Sequence, residues 1–204
     1  MKVISTASEL QCFLCDNETL LWPPKATTVG VHFQFAGDGE EGDKSVAVAI
    51  STSELFEEAV LLLLASLSET LIIPGLTTLL SKASVYKVMY SVHKIAFWLS
   101  RFGLQNPKLE NCIDLQLLYE ITENMTVLNA NIPQIANNCF QNSAKNLELT
   151  THSYIARAES ADAKNWTKTP LPSKMQLLVA QTAQLYAQCY AENRAKSSDK
   201  VNVQ

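Results

Sequence analysis

The sequence is short of charge. Its 204 residues carry 16 basic and 20 acidic side chains, 18% of the chain, where a soluble domain averages roughly 25%. Glycine and proline are scarce as well, 6 and 7 residues, which excludes collagen-like and low-complexity chains. The longest apolar run, residues 59–65, follows two glutamates and is too short to cross a bilayer; it reads as part of a buried apolar helix over 54–67. The first six residues lack the apolar stretch of a signal peptide. A net charge of −4 argues against bulk electrostatic capture of nucleic acid or anionic membrane, and leaves a local basic patch open.

Against these shortages, 47% of the residues are hydrophobic, enough for one domain with a core of its own. The expected boundaries are 1–196 for that domain and 197–204 for a flexible C-terminal tail. The five cysteines are odd in number, which suggests reduced thiols in the cytosol or nucleus. Cys12 and Cys15 have a CxxC spacing with no second pair, so core packing is expected over zinc or redox chemistry.

Strand and helix signals alternate. Residues 29–35 and 46–50 read as strands of a hairpin around an acidic Gly-rich turn. Residues 71–73 read as a short strand stopped by Pro74-Gly75, residues 77–81 as a small helix, and 85–90 as a buried strand. Residues 92–102 have helical periodicity, Asp114 starts another helix as its N-cap, and 174–195 form a long closing helix. Residues 129–170 look polar and broken. A hairpin followed by strand–helix units predicts an α/β fold, a mixed sheet with helices packed on it.

Several pieces resemble one family in order and spacing: the DEDD 3′–5′ exonucleases of the ribonuclease H-like fold, in their RNase D branch. Val29-Gly-Val-His-Phe-Gln34 is similar to a first-strand Val-Gly-x-Asp-x-Glu. Lys87-Val-Met-Tyr-Ser91 is similar to Lys-Val-x-His-x. Leu109-Glu-Asn-Cys-Ile-Asp-Leu-Gln116 resembles Asn-x-x-Asp-Thr-Gln. Asn165-Trp-Thr-Lys-Thr-Pro-Leu171 resembles the Asn-Trp-x-x-Arg-Pro-Leu before the last helix.

The resemblance implies a mixed β-sheet flanked by α-helices and a cleft where four carboxylates hold two divalent metals. Hard Mg²⁺ or Mn²⁺ needs oxygen ligands. Carried over residue by residue, the ligand positions fall on His32, Gln34, Ile95 and Ala183, and the water-orienting tyrosine falls on Val179. None is a carboxylate. The expectation is a pseudo-exonuclease with no catalytic residues, no metal and no cofactor.

What such a cleft retains is a possible hold on single-stranded RNA. Lys164, Trp166 and Lys168 interleave cation and aromatic, a pattern that binds backbone and stacks bases, unless Trp166 packs the last helix and the lysines are simply solvated. Lys174 could join them. Lys94 and Arg101 lie seven apart on one helical face. Within the branch, the similarity runs to degenerate exonuclease-domain proteins of piRNA biogenesis and, more distantly, to Egalitarian-type mRNA-transport proteins. It implies a homodimeric RNA adaptor, partnered with Tudor and PIWI-pathway proteins, cytoplasmic and associated with germ granules, with no membrane role. Two alternatives stay open: a protein-interaction scaffold without nucleic acid, and an active metal-dependent exonuclease whose site has moved to His32 and Asp114.

Overall fold

The computed structural model describes residues 1–15, 28–36, 44–52, 59–64, 67, 69–101, 108–123, 130–140, 166 and 168–201. In chain order the elements are β1 (Lys2–Ile4), α1 (Ala7–Cys15), β2 (Thr28–Ala36), β3 (Lys44–Ser51), β4 (Val60–Leu63), α2 (Glu69–Leu80), β5 (Tyr86–Met89), α3 (Val92–Ser100), β6 (Cys112–Asp114), α4 (Leu115–Thr122), α5 (Ile132–Phe140) and α6 (Ser173–Val201).

The six strands form one sheet in the order β1-β4-β3-β2-β5-β6. Only β3 runs against its neighbours; β1 is parallel to β4, and β5 to both β2 and β6. From β2 the chain adds strands first on one side and then on the other. That reversal falls between β2 and β5, where open α/β sheets place their ligand crevice at the carboxyl ends of the strands.

Strand alternation divides β2 between two cores. Val29, Val31 and Phe33 enter an apolar cluster with α1, α2 and α3 through Leu10, Leu76 and Trp98. The alternate residues, Gly30, His32 and Gln34, take the face covered by α6, whose Val179, Ala183 and Tyr186 are buried with Ala47, Leu61 and Val88 of the sheet. Gly30 lets the layers touch: a Cβ there would lie 1.7 Å from the carbonyl oxygen of Ala183. On the neighbouring strand Lys87 is fully buried, its ammonium donating to the carbonyl of Lys82 at 2.6 Å.

Several sequence expectations are corrected. The apolar stretch expected to be helical contains the strand β4, with residues 53–58 outside the described set. It is buried along its length because helices cover both faces of the sheet, so it lacks the alternation of a half-exposed strand. Its apolar surface is spent within the sheet and offers no helical interface. Leu71–Ile73 belongs to α2, not to a strand, and Pro74 lies inside that helix on an exposed turn. Residues 132–140, expected to be irregular, form α5. Cys12 is exposed on α1 rather than packed in the core; the Cys15 side chain lies outside the described residues. α6 runs on to Val201, past the expected end of the closing helix at 195. The hairpin turn at 37–43 lies outside the described residues.

Candidate nucleic-acid interface

At the carboxyl ends of β2 and β5 a cleft of about 180 Å³ is lined by residues 32–35 of β2, Tyr90, Ser91, Lys94 and Ile95 at the start of α3, Ile132 of α5 and Tyr186 of α6. It is made where a helix begins directly after a strand. Ser91 turns the chain with a left-handed backbone, φ 55° and ψ 58°, a conformation that costs a non-glycine residue on the order of 1 kcal/mol. Its hydroxyl does not cap α3 but donates to the Gln116 side chain at 3.3 Å. The cap comes from Asp114, whose Oδ2 accepts the Val92 N–H at 2.8 Å. Oδ1 of the same carboxylate accepts the N–H groups of Gln116 and Leu117 at 3.0 and 3.4 Å. One side chain therefore closes the N-termini of both α3 and α4.

Inside the cleft a chain of hydrogen bonds joins α6 to β2. Gln34 donates its amide nitrogen to the carbonyl of Phe35 at 2.8 Å, so its side-chain oxygen faces His32 Nε2 at 3.3 Å. An oxygen there requires a proton on Nε2. Nδ1 then accepts from the Tyr186 hydroxyl at 3.0 Å. Both ring nitrogens are engaged and the imidazole is neutral. Burial pushes its pKa down from the ordinary 6.5 to about 4, opposed by the hydrogen bond with Gln34. The Tyr186 ring stands edge-on to the imidazole, with centroids 5.5 Å apart.

The expected ligand positions are only partly assembled. His32, Gln34 and Ile95 line the cleft, and Ile95 is a buried hydrocarbon, 2% exposed. Val179 and Ala183 are buried in the core beneath α6 and do not line it. The side chain that α6 contributes is Tyr186, which the sequence reading missed. It lies three residues after Ala183 and seven after Val179, on the same helical stripe, and that spacing was the available signal.

Two divalent metals do not fit this donor set. Among the described residues the lining holds a neutral histidine with both nitrogens occupied, an amide, hydroxyls, the Lys94 ammonium and hydrocarbon, and no carboxylate. A site moved to His32 and Asp114 fits no better, since both Asp114 oxygens hold helix N–H groups. Among the described residues, no three His, Cys, Asp or Glu side chains are grouped as a metal would require.

Of the expected RNA-binding residues that are described, only Lys94 lines the cleft. Arg101, Lys168 and Lys174 are exposed and do not line it, and Lys164 lies outside the described residues. Trp166 is 5% exposed and packs in the cluster beneath α6, which withdraws its ring from base stacking. His93, also on α3, is exposed.

This architecture is the ribonuclease H-like 3′–5′ exonuclease fold, a mixed sheet flanked by helices, as the motif order implied. No protein-family model matches the chain, and no curated protein matches it. Solved structures do. The Nibbler EXO domain of Aedes aegypti superposes with a TM-score of 0.62 at 14% identity, covering 94% of this chain and 85% of that one. Trypanosoma brucei RNase D, in a complex with RNA U12, gives 0.68 at 13% identity over 94% of this chain and 61% of that one. Escherichia coli RNase D gives 0.63 at 12% identity over 96% and 46%. The chain thus spans less than two thirds of either RNase D. Among the described residues no helix is long and apolar enough to cross a membrane.

Proposed function

We propose that this chain is a pseudo-exonuclease: an RNA-binding adaptor that holds single-stranded RNA without cutting it. One observation carries the reading. Where this fold would gather metal-binding carboxylates, the cleft presents a neutral Tyr186–His32–Gln34 relay beside the hydrocarbon of Ile95. RNA as the ligand class is supported by the RNase D of the same fold that was solved with RNA U12. The cellular setting is that of the resemblance: a homodimer in a cytoplasmic germline piRNA complex, with Tudor and PIWI-pathway proteins as partners.

Labelled single-stranded RNA incubated with the protein and Mn²⁺ tests the reading. The RNA is retained and its 3′ end stays intact. Metal-dependent 3′ trimming that disappears in Gln34→Ala refutes it.

A protein-interaction scaffold without nucleic acid is the second reading. It is favoured by Leu117 and Ile121, four residues apart on α4 and 47% and 69% exposed. RNA binding that weakens when Lys164 and Lys168 are both changed to Glu decides against it.

A further inference from the structure

The mismatch between the cleft and a divalent metal has a consequence for what the cleft can hold. A cleft lined by four carboxylates repels phosphate until two cations fill it. Among the described lining residues the one formal charge is the ammonium of Lys94, and the relay beside it is uncharged.

Size and surface narrow the ligand further. The cleft's roughly 180 Å³ compares with about 150 Å³ for a cavity that takes a benzene ring, so it admits one base or one sugar rather than a stack. Its walls are aromatic on several sides. Tyr90 and Tyr186 face each other with centroids 6.5 Å apart, and Phe35 is fixed edge-on to Trp98 at 6.4 Å. Its hydrogen-bonding groups are neutral, and its ammonium sits on an exposed residue of the first turn of α3.

We infer that the cleft binds a single nucleotide without any divalent cation, with Lys94 taking the phosphate in place of a metal and the neutral Tyr186–His32–Gln34 relay keeping the pocket open beside it. The inference deepens the RNA-binding reading and rests on it. The relay sets the pocket's shape. The tautomer it fixes leaves no ring nitrogen to capture a metal, and no carboxylate stands among the described lining residues to repel the ligand.

Uridine 5′-monophosphate and a labelled 12-nucleotide oligouridine serve as probes on the full chain, by calorimetry and fluorescence anisotropy, with EDTA or with millimolar Mn²⁺. Uridine monophosphate binds with the same affinity in both conditions. Lys94→Glu weakens it by about tenfold or more, the scale of one lost charge-assisted hydrogen bond, and Lys94→Arg restores it. Both changes fall on an exposed side chain, and circular dichroism checks that they fold. Binding that requires Mn²⁺, or that ignores Lys94→Glu, overturns the inference. Oligouridine that binds while uridine monophosphate does not also overturns it, and leaves RNA binding standing on another surface. If neither probe binds, the RNA-binding reading fails together with the inference.

Discussion

Acidification should unfold this protein through His32 before its carboxylates account for the loss. The imidazole carries its single proton on Nε2 toward Gln34 and accepts the Tyr186 hydroxyl on Nδ1. Adding a second proton means charging a ring that burial has deprived of water, which is why its pKa sits near 4 and not 6.5. The unfolded chain takes up that proton near pH 6.5. The unfolded state therefore binds more protons between pH 6.5 and 4, and stability falls as pH drops through that window. Above 6.5 the contribution is complete; below 4 no further loss comes from this group. A gap of 2.5 pH units, at about 1.36 kcal/mol each, is worth about 3 kcal/mol. This is an upper figure, because the residue is only partly buried.

Urea unfolding at pH 7 and pH 4 measures the loss, and the same pair of measurements on His32→Gln subtracts the carboxylates that titrate nearby. Wild type should lose more than the variant, by up to about 3 kcal/mol. Two-bond ¹H–¹⁵N spectra of the ring provide the direct check, since they report tautomer and titration together. A ring that titrates near 6.5, or that is protonated on Nδ1 at neutral pH, refutes the relay and everything built on it.

Gly30→Ala places a methyl 1.7 Å from the Ala183 carbonyl oxygen and 3.0 Å from the Ala187 nitrogen. Helix α6 must retreat from the sheet, at a cost of about 3 kcal/mol by chemical denaturation; a loss below about 1 kcal/mol would show that the layers are not in contact there. Asp114→Ala leaves uncapped N–H groups at the starts of α3 and α4. At roughly 1 kcal/mol per cap it costs about 2 kcal/mol, and Asp114→Asn recovers part of that. Equal effects from the Ala and Asn variants would count against the double cap.

The parts of this fold that the sequence disclosed are those with local rules. The β2–β3 pairing follows from apolar alternation on either side of a Gly-rich turn, and Asp114 followed by an apolar helical stripe announces its own cap. The failures have a common cause in the burial of the sheet on both faces. A strand sandwiched between helix layers, such as β4, is as continuously apolar as a buried helix and loses its period of two. Leu71-Ile72-Ile73 ahead of a Pro-Gly pair carries every local sign of a terminated strand. Its place in α2 is decided by tertiary packing: Ile72, Ile73 and Leu76 are buried in the first core cluster. The cleft was half legible. His32 and Gln34 could be placed because β2 is a strand of known phase. Tyr186 could not, because a long helix offers several residues per face and only the docking of α6 on Gly30 selects which one reaches the cleft.

The relay also explains how a cleft walled by these neutral groups stays open. A pocket walled by hydrocarbon alone gains by closing, since each square ångström of apolar surface removed from water contributes about 25 cal/mol. Closing this one would press hydrocarbon against Tyr186, His32 and Gln34, whose hydrogen bonds depend on their present positions; a broken buried bond costs about 1–3 kcal/mol. Gln34 is held to the backbone at Phe35, His32 to Gln34, and Tyr186 to His32, so displacing one member breaks its bond to the next. The wall is polar enough to resist collapse and neutral enough to admit an anion. Four carboxylates could satisfy the second condition only with metal present. The shortage of charge in the chain is most consequential at this point, where uncharged groups keep a nuclease-shaped cleft open.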